Sequence, residues 1–203
     1  MRREFVSELL GTFSMVFIGC LAVKNGYSSP IVAFAFGSGV CMVILLSRQV
    51  SGAHINPAVS IAFTITGELE RRLLPVYIIA QCTGGLIAAL IIGDYGSTEF
   101  STTYSLGVGI EIFITLFLMS GIYLTIWHTN SDAYVAIIVG TIVGLLAFYF
   151  GQYTGASMNP ARTFGPNIVA GSVGQIPIYF ASTIIGGLIA ALFAKKLHKS
   201  YQS

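Results

Sequence analysis

Six long apolar runs, near residues 5–23, 30–48, 73–92, 106–127, 133–150 and 176–194, alternate with short polar stretches along this chain of 203 residues. A helix needs about 20 mainly apolar residues to cross a hydrocarbon core of about 30 Å, so the pattern predicts six membrane-spanning helices. Two further apolar pieces, near 57–66 and 160–170, are too short to cross. A helix of about 10 residues covers about 15 Å, half of the core. Each piece opens on Asn followed by Pro, at Asn56-Pro57 and Asn159-Pro160. That is a helix start, with Asn as the N-cap and Pro at the first position, where its missing N–H costs nothing. The prediction is an all-α membrane protein of six transmembrane helices plus two re-entrant half-helices. Pro30 suits the first turn of the second span for the same reason. A polar hinge of Glu68, Glu70, Arg71 and Arg72 precedes the third span. A linker near 93–103, with Asp94, Gly96, Ser97, Glu99, Ser101 and Thr102, divides the chain.

The two halves repeat. The tripeptide Asn56-Pro57-Ala58 recurs 103 residues later as Asn159-Pro160-Ala161, and each copy follows a Gly-Ala pair, Gly52-Ala53 and Gly155-Ala156. At the same offset Glu8 meets Glu111 and Thr12 meets Thr115, while Gly84–Leu90 recurs identically as Gly186–Leu192 at an offset of 102. Three spans per half make the second copy enter from the other face, which predicts an inverted repeat of residues 1–100 and 104–203 within one channel domain, 1–203. Function is then expected near the midplane, where broken helices meet.

Composition supports the membrane class: 55% of residues are hydrophobic and 9% charged, against about 25% charged in soluble domains. The net charge of +2 gives no case for nucleic acid. Cys20, Cys41 and Cys82 lie in apolar runs without a CxxC spacing, and read as packing residues rather than a disulfide framework or zinc site. No Ser-His-Asp arrangement, metal cluster or phosphate loop is present, so neither an enzyme nor a cofactor or metal is expected. The first apolar run, to about Val23, exceeds a signal h-region and reads as a retained span. Arg2, Arg3, Arg48, Arg71, Arg72, Lys195, Lys196 and Lys199 fall on one face and Lys24 on the other. The positive-inside rule then places both termini in the cytoplasm, with the plasma or cell inner membrane as the expected location. Tyr77, Tyr104, Tyr123, Trp127, Tyr134, Tyr149, Tyr153 and Tyr179 lie near span ends and read as an aromatic belt.

The chain resembles the aquaporins, of the major intrinsic protein family. The resemblance covers nearly the whole length and rests on both tripeptides, their Gly-Ala lead-ins, the run Asn159-Pro160-Ala161-Arg162-Thr163-Phe164-Gly165-Pro166, and a glutamate in the first span of each half. It implies a homotetramer with one pore per subunit. In such a pore the positive ends of the half-helices converge on Asn56 and Asn159. Each side chain caps its own helix and leaves its amide to donate to a passing water, the electrostatic exclusion described for aquaporin-type pores. The stretches 52–55 and 155–158, comprising Gly52, Ala53, His54, Ile55, Gly155, Ala156, Ser157 and Met158, are expected to be extended and to line the pore with their backbone. The resemblance implies that Glu8 and Glu111 buttress these loops. It also implies a selectivity filter of Phe36, Ala147, Ala156 and Arg162, with Ala147 where strict water channels often carry His. Arg162 has Val59 as its repeat partner, so the charge is asymmetric. Arginine at depth marks a pathway.

The solute is expected to be water, because Thr163 and the pair Tyr179-Phe180 match the water branch of the family. Small neutral solutes such as glycerol are the alternative, because Ala147 widens the filter. A non-conducting protein of the same fold and a secondary transporter are the rival classes. Arg48 and Gln49 stand where relatives commonly show Gly-His; the reading is an arginine snorkelling to the surface, with a gate as the alternative. His54 is expected at the pore, and His128 and His198 at the interface.

Overall fold

The computed structural model describes residues 1–202, with side chains through Leu197, so Lys199 and His198 fall outside the described side chains. Among the described residues the regular structure is helical. Six long helices carry the predicted spans: α1 (Arg2–Lys24), α2 (Ser29–Ser51), α4 (Leu74–Ile92), α5 (Tyr104–His128), α6 (Asp132–Thr154) and α8 (Ile176–Gln202). The half-helices are α3 (Pro57–Thr66) and α7 (Pro160–Val169). Among the described residues six helices are long and apolar enough to cross a membrane, and the protein is an integral, multi-pass membrane protein.

Two helices overrun their predicted ends for a common reason. α2 continues past Arg48 to Ser51, and α6 past Phe150 to Thr154. Both stop at a left-handed glycine, Gly52 (φ +81°) and Gly155 (φ +70°), whose N–H returns 2.8 Å to Arg48 O and Gly151 O. The cap sets the end, so polar residues such as Arg48, Gln49 and Gln152 stay in the last turn.

Small residues fix the packing. A Cβ on Gly84 of α4 would lie 2.3 Å from Leu9 O on α1, and one on Gly186 of α8 would lie 2.4 Å from Ile112 O on α5. The next residue in each copy faces a half-helix: Gly85 meets Ala161 O, and Gly187 meets Ala58 O. The repeated heptapeptide is thus a packing code, in which glycine lets backbones touch where lipid gives no hydrophobic drive. α2 and α6 cross at Gly37 and Gly140, each of which would press an added Cβ onto the other's carbonyl. Outward, Phe34, Leu46, Leu90 and Phe193 are exposed, an apolar exterior suited to lipid.

The aromatic belt is smaller than expected. Tyr104, Tyr134, Tyr149, Tyr153 and Trp127 are exposed, but Tyr77, Tyr123 and Tyr179 are buried. These three face inward with their hydroxyls bonded to Ser51 O (2.7 Å), Thr66 Oγ1 (2.9 Å) and Thr154 O (2.5 Å). A position near a span end does not tell which face of the helix a residue occupies; here the polar tips bond the last residues of α2, α3 and α6.

Candidate pore and its constriction

Extended loops were expected before α3 and α7, but alternate residues in each loop turn to positive φ. Ala53 (φ +51°), Ile55 (φ +44°), Ala156 (φ +42°) and Met158 (φ +53°) all sit in the left-handed region. Each such residue costs about 1–3 kcal/mol and persists only where its surroundings over-determine it. Here one buried acid per loop does so. Glu8 accepts from His54 N (2.9 Å), Ile55 N (2.6 Å), Ser51 Oγ (2.7 Å) and Gln81 Nε2 (2.7 Å). Glu111 accepts from Ser157 N (2.9 Å), Met158 N (2.9 Å) and Thr154 Oγ1 (2.7 Å). Successive N–H groups are drawn to one carboxylate behind the loop, which holds alternate residues at positive φ instead of leaving the loop regularly extended.

The loops meet at the two asparagines. Asn56 Oδ1 accepts from Ala58 N at 2.8 Å, and Asn159 Oδ1 from Ala161 N at 2.9 Å, capping α3 and α7. Asn56 Nδ2 donates to Met158 O and Asn159 Nδ2 to Ile55 O, both at 2.8 Å. Each amide therefore spends one of its two hydrogens on the opposing loop and keeps one.

A cavity of about 230 Å³ runs past this junction, from Arg48 and Glu68 at one end to Arg162 at the other. Gly52, Ala53, His54, Ile55, Asn56, Ala156, Ser157, Met158 and Asn159 line it. Gly155, expected among them, does not: it is packed beneath Thr98, whose Cγ2 would lie 3.2 Å from an added Cβ. Pro57, Ala58, Pro160 and Ala161 form the helix starts behind the lumen. Phe36, Ala147, Ala156 and Arg162 share the cavity wall. The Arg162 guanidinium carbon stands 4.7 Å from the Phe36 ring centroid, a cation–π contact, and Nη1 donates to Gly96 O. Phe36 and Arg162 bring bulk and charge to the cavity lining, while Ala147 and Ala156 offer only methyl groups.

The family model described as Major intrinsic protein matches residues 1–194. The chain belongs to the major intrinsic protein family. Members of this family are channels rather than enzymes. Among the relatives it is similar to, aquaporin NIP3-1 of Arabidopsis thaliana is 33% identical over 93% of this chain and 65% of its own length. This chain thus spans just under two thirds of that relative. Aquaporin NIP1-1 of Zea mays is 34% identical over 93% of this chain and 72% of its own length. The X-ray structure of the aquaglyceroporin from Plasmodium falciparum has the same fold, with a TM-score of 0.84, 23% identity, and coverage of 97% of this chain and 95% of that one.

Two parts of this major intrinsic protein differ from the sequence reading. Arg48 does not snorkel freely. It lines the cavity and forms an ion pair with Asp132, with Nη1 also 3.2 Å from Asn130 O, while Gln49 Nε2 donates to Asp132 Oδ2 at 2.6 Å. The partner lies 84 residues away at the start of α6, out of reach of local pattern. His54 both lines the cavity and packs: Nδ1 is 3.1 Å from Ser60 Oγ, and its ring lies 4.8 Å from Phe63 and 4.9 Å from Tyr77.

The linker 93–103 is the second difference. Expected only to divide the chain, it folds in beside Arg162. Gly96 supplies the carbonyl, and Thr98 is fully buried with its backbone paired to the fully buried Asn167 on α7. The available signal was one more amide residue, Asn167, in a short half-helix.

Proposed function

We propose that this chain is a passive channel that conducts water down an osmotic gradient and excludes protons and ions. The observation that carries the reading is the crossed pair Asn56 and Asn159, each with one amide hydrogen fixed and one left over, lining the same cavity. A water that accepts from both remaining donors has its hydrogens turned outward along the file, which breaks a proton relay. A cation meets two helix N-termini and Arg162.

The test is osmotic shrinkage of proteoliposomes followed by light scattering. Water permeability well above that of empty vesicles, with an activation energy near that of free diffusion, is expected. Equal rates in loaded and empty vesicles would sink the proposal. Saturable, ion-coupled flux would assign a transporter instead.

The second reading is passage of glycerol or other small neutral solutes. It is favoured by the methyl groups that Ala147 and Ala156 present to the cavity. Water, glycerol, urea and ammonia fluxes in one preparation separate the two. The proposal includes the inverted-repeat division into 1–100 and 104–203, a homotetramer in membrane lipid, both termini in the cytoplasm, and the plasma or cell inner membrane. Arg162 then faces the outside and Arg48 the cytoplasm.

A further inference from the structure

We infer that Asn167 is a positioning residue for the filter arginine, acting through the linker 93–103, and that it sets how sharply the pore rejects solutes larger than water. The inference rests on the channel reading above.

Asn167 is held by no bond to Arg162. Its side-chain amide pairs with the Thr98 backbone on both sides: Oδ1 accepts Thr98 N and Nδ2 donates to Thr98 O, both at 2.8 Å. Nδ2 also lies 3.4 Å from Ser172 O. A buried amide satisfied in both functions has one orientation. The Thr98 hydroxyl continues the lock, 2.8 Å from Thr163 Oγ1, which lies 2.6 Å from Ser157 Oγ in the re-entrant loop.

Two residues before Thr98, Gly96 turns with φ +83° and gives its carbonyl to Arg162 Nη1. It is wedged against α1, where an added Cβ would fall 2.4 Å from Cys20 Sγ. Arg162 is therefore fixed between the Phe36 ring and a loop carbonyl, and that carbonyl is only as steady as its loop. The linker contains no helix or strand. Among the described hydrogen bonds, Arg162 and the Asn167 amide are the groups that tie its backbone between Asp94 and Glu99.

The first half lacks this device. The residue in register with Asn167 is Thr64, whose hydroxyl donates only to Ser60 O of its own helix. The clamp stands in the half that carries the arginine, as Arg162 itself stands opposite Val59. A solute close to the pore's width crosses mainly during wide excursions of the wall, whereas water crosses the mean structure. Loosening the carbonyl that holds Arg162 thus erodes selectivity before it affects water flow.

The experiment is a double-mutant cycle in proteoliposomes, reading the glycerol-to-water permeability ratio, which does not depend on how many channels folded. Asn167→Ala is expected to raise the ratio about threefold or more, the scale of a lost coupling along a packed network. In the Arg162→Ala background the same substitution is expected to leave it unchanged. An unmoved ratio in N167A, or an equal change with and without Arg162, overturns the inference. Should N167A fail to fold, Asn167→Asp serves. It keeps the acceptor for Thr98 N and removes the donor to Thr98 O, so the ratio is again expected to rise, and a parental ratio overturns the inference. A parent no more permeable to water than empty vesicles removes the channel reading and this inference together; a conducting parent with an unmoved variant removes the inference alone.

Discussion

Asn56 and Asn159 hold each other's loops: the amide of each donates, at 2.8 Å, to a carbonyl that precedes the other, Met158 O and Ile55 O. The capping bonds from Ala58 N and Ala161 N to Oδ1 fix the other end of each amide. Neither amide is free to flip, so the remaining N–H of each has a set direction. Capping and loop closure are served by one residue type, and on the proposed reading the remaining N–H is the donor for the permeant, which accounts for Asn rather than another cap residue at both sites. Asp and Ser cap as well, but neither offers the NH2.

Asn159→Asp tests that division of roles. The variant keeps the cap, since carboxylate is a good N-cap, but turns the donor to Ile55 O into an acceptor and adds negative charge where two helix N-termini meet. Cation conductance is expected to appear in planar bilayers, with none expected for the parent, while osmotic water flux persists. A variant as tight to sodium and potassium as the parent would contradict the electrostatic role given to this amide.

Glu111→Gln tests the buttress. Both carboxylate oxygens accept, from Ser157 N, Met158 N and Thr154 Oγ1. A glutamine keeps one acceptor and sets an NH2 against a backbone N–H. The buried donor left unpaired costs about 1–3 kcal/mol, in a loop already carrying Ala156 and Met158 in left-handed conformation. A lower melting temperature and a smaller yield of monodisperse protein in detergent are expected. Parental yield, melting and single-channel water permeability together would show that Glu111 does not carry the loop.

The half-helices were legible because Asn-Pro is a local signal, complete in two residues, and the acids were legible because charge in an apolar run stands out. Tyr77 and Tyr179 were misread because a tyrosine near a span end looks the same whether it faces lipid or a loop. The left-handed turn at Ala53, Ile55, Ala156 and Met158 was not legible, since its cause is an acid 46 or 47 residues earlier in the chain. The Thr98–Asn167 clamp and the Arg48–Asp132 pair were missed for the same reason: each joins residues 69 or 84 positions apart, and no periodicity records it.

Ala147→His tests the filter. Phe36, Ala147, Ala156 and Arg162 all line the cavity, and an imidazole at 147 replaces a methyl group with bulk and a polar group. A single side chain in a snug site discriminates by about 1–3 kcal/mol, or about tenfold and upward. Any glycerol flux of the parent is expected to fall by about tenfold while water flux falls much less. Equal glycerol flux in parent and variant would place Ala147 outside the constriction.

Asp132→Ala tests what holds Arg48. The guanidinium lines the lumen at the end opposite Arg162, and both Asp132 and Asn130 O draw it toward the start of α6. Gln49 Nε2 holds Asp132 from the side at 2.6 Å. Without the carboxylate, a long flexible cation stands at the mouth with only a carbonyl to retain it, and the lumen is where it has room. Lower water permeability is expected in D132A, with recovery in the double variant Arg48→Ala, Asp132→Ala, which removes the obstruction along with its tether. The pair is partly exposed and screened by salt, so raising ionic strength in the parent is expected to move permeability in the direction of D132A, though by less. If D132A conducts like the parent, or the double variant stays as slow as D132A, the ion pair ties α2 to α6 without governing the mouth.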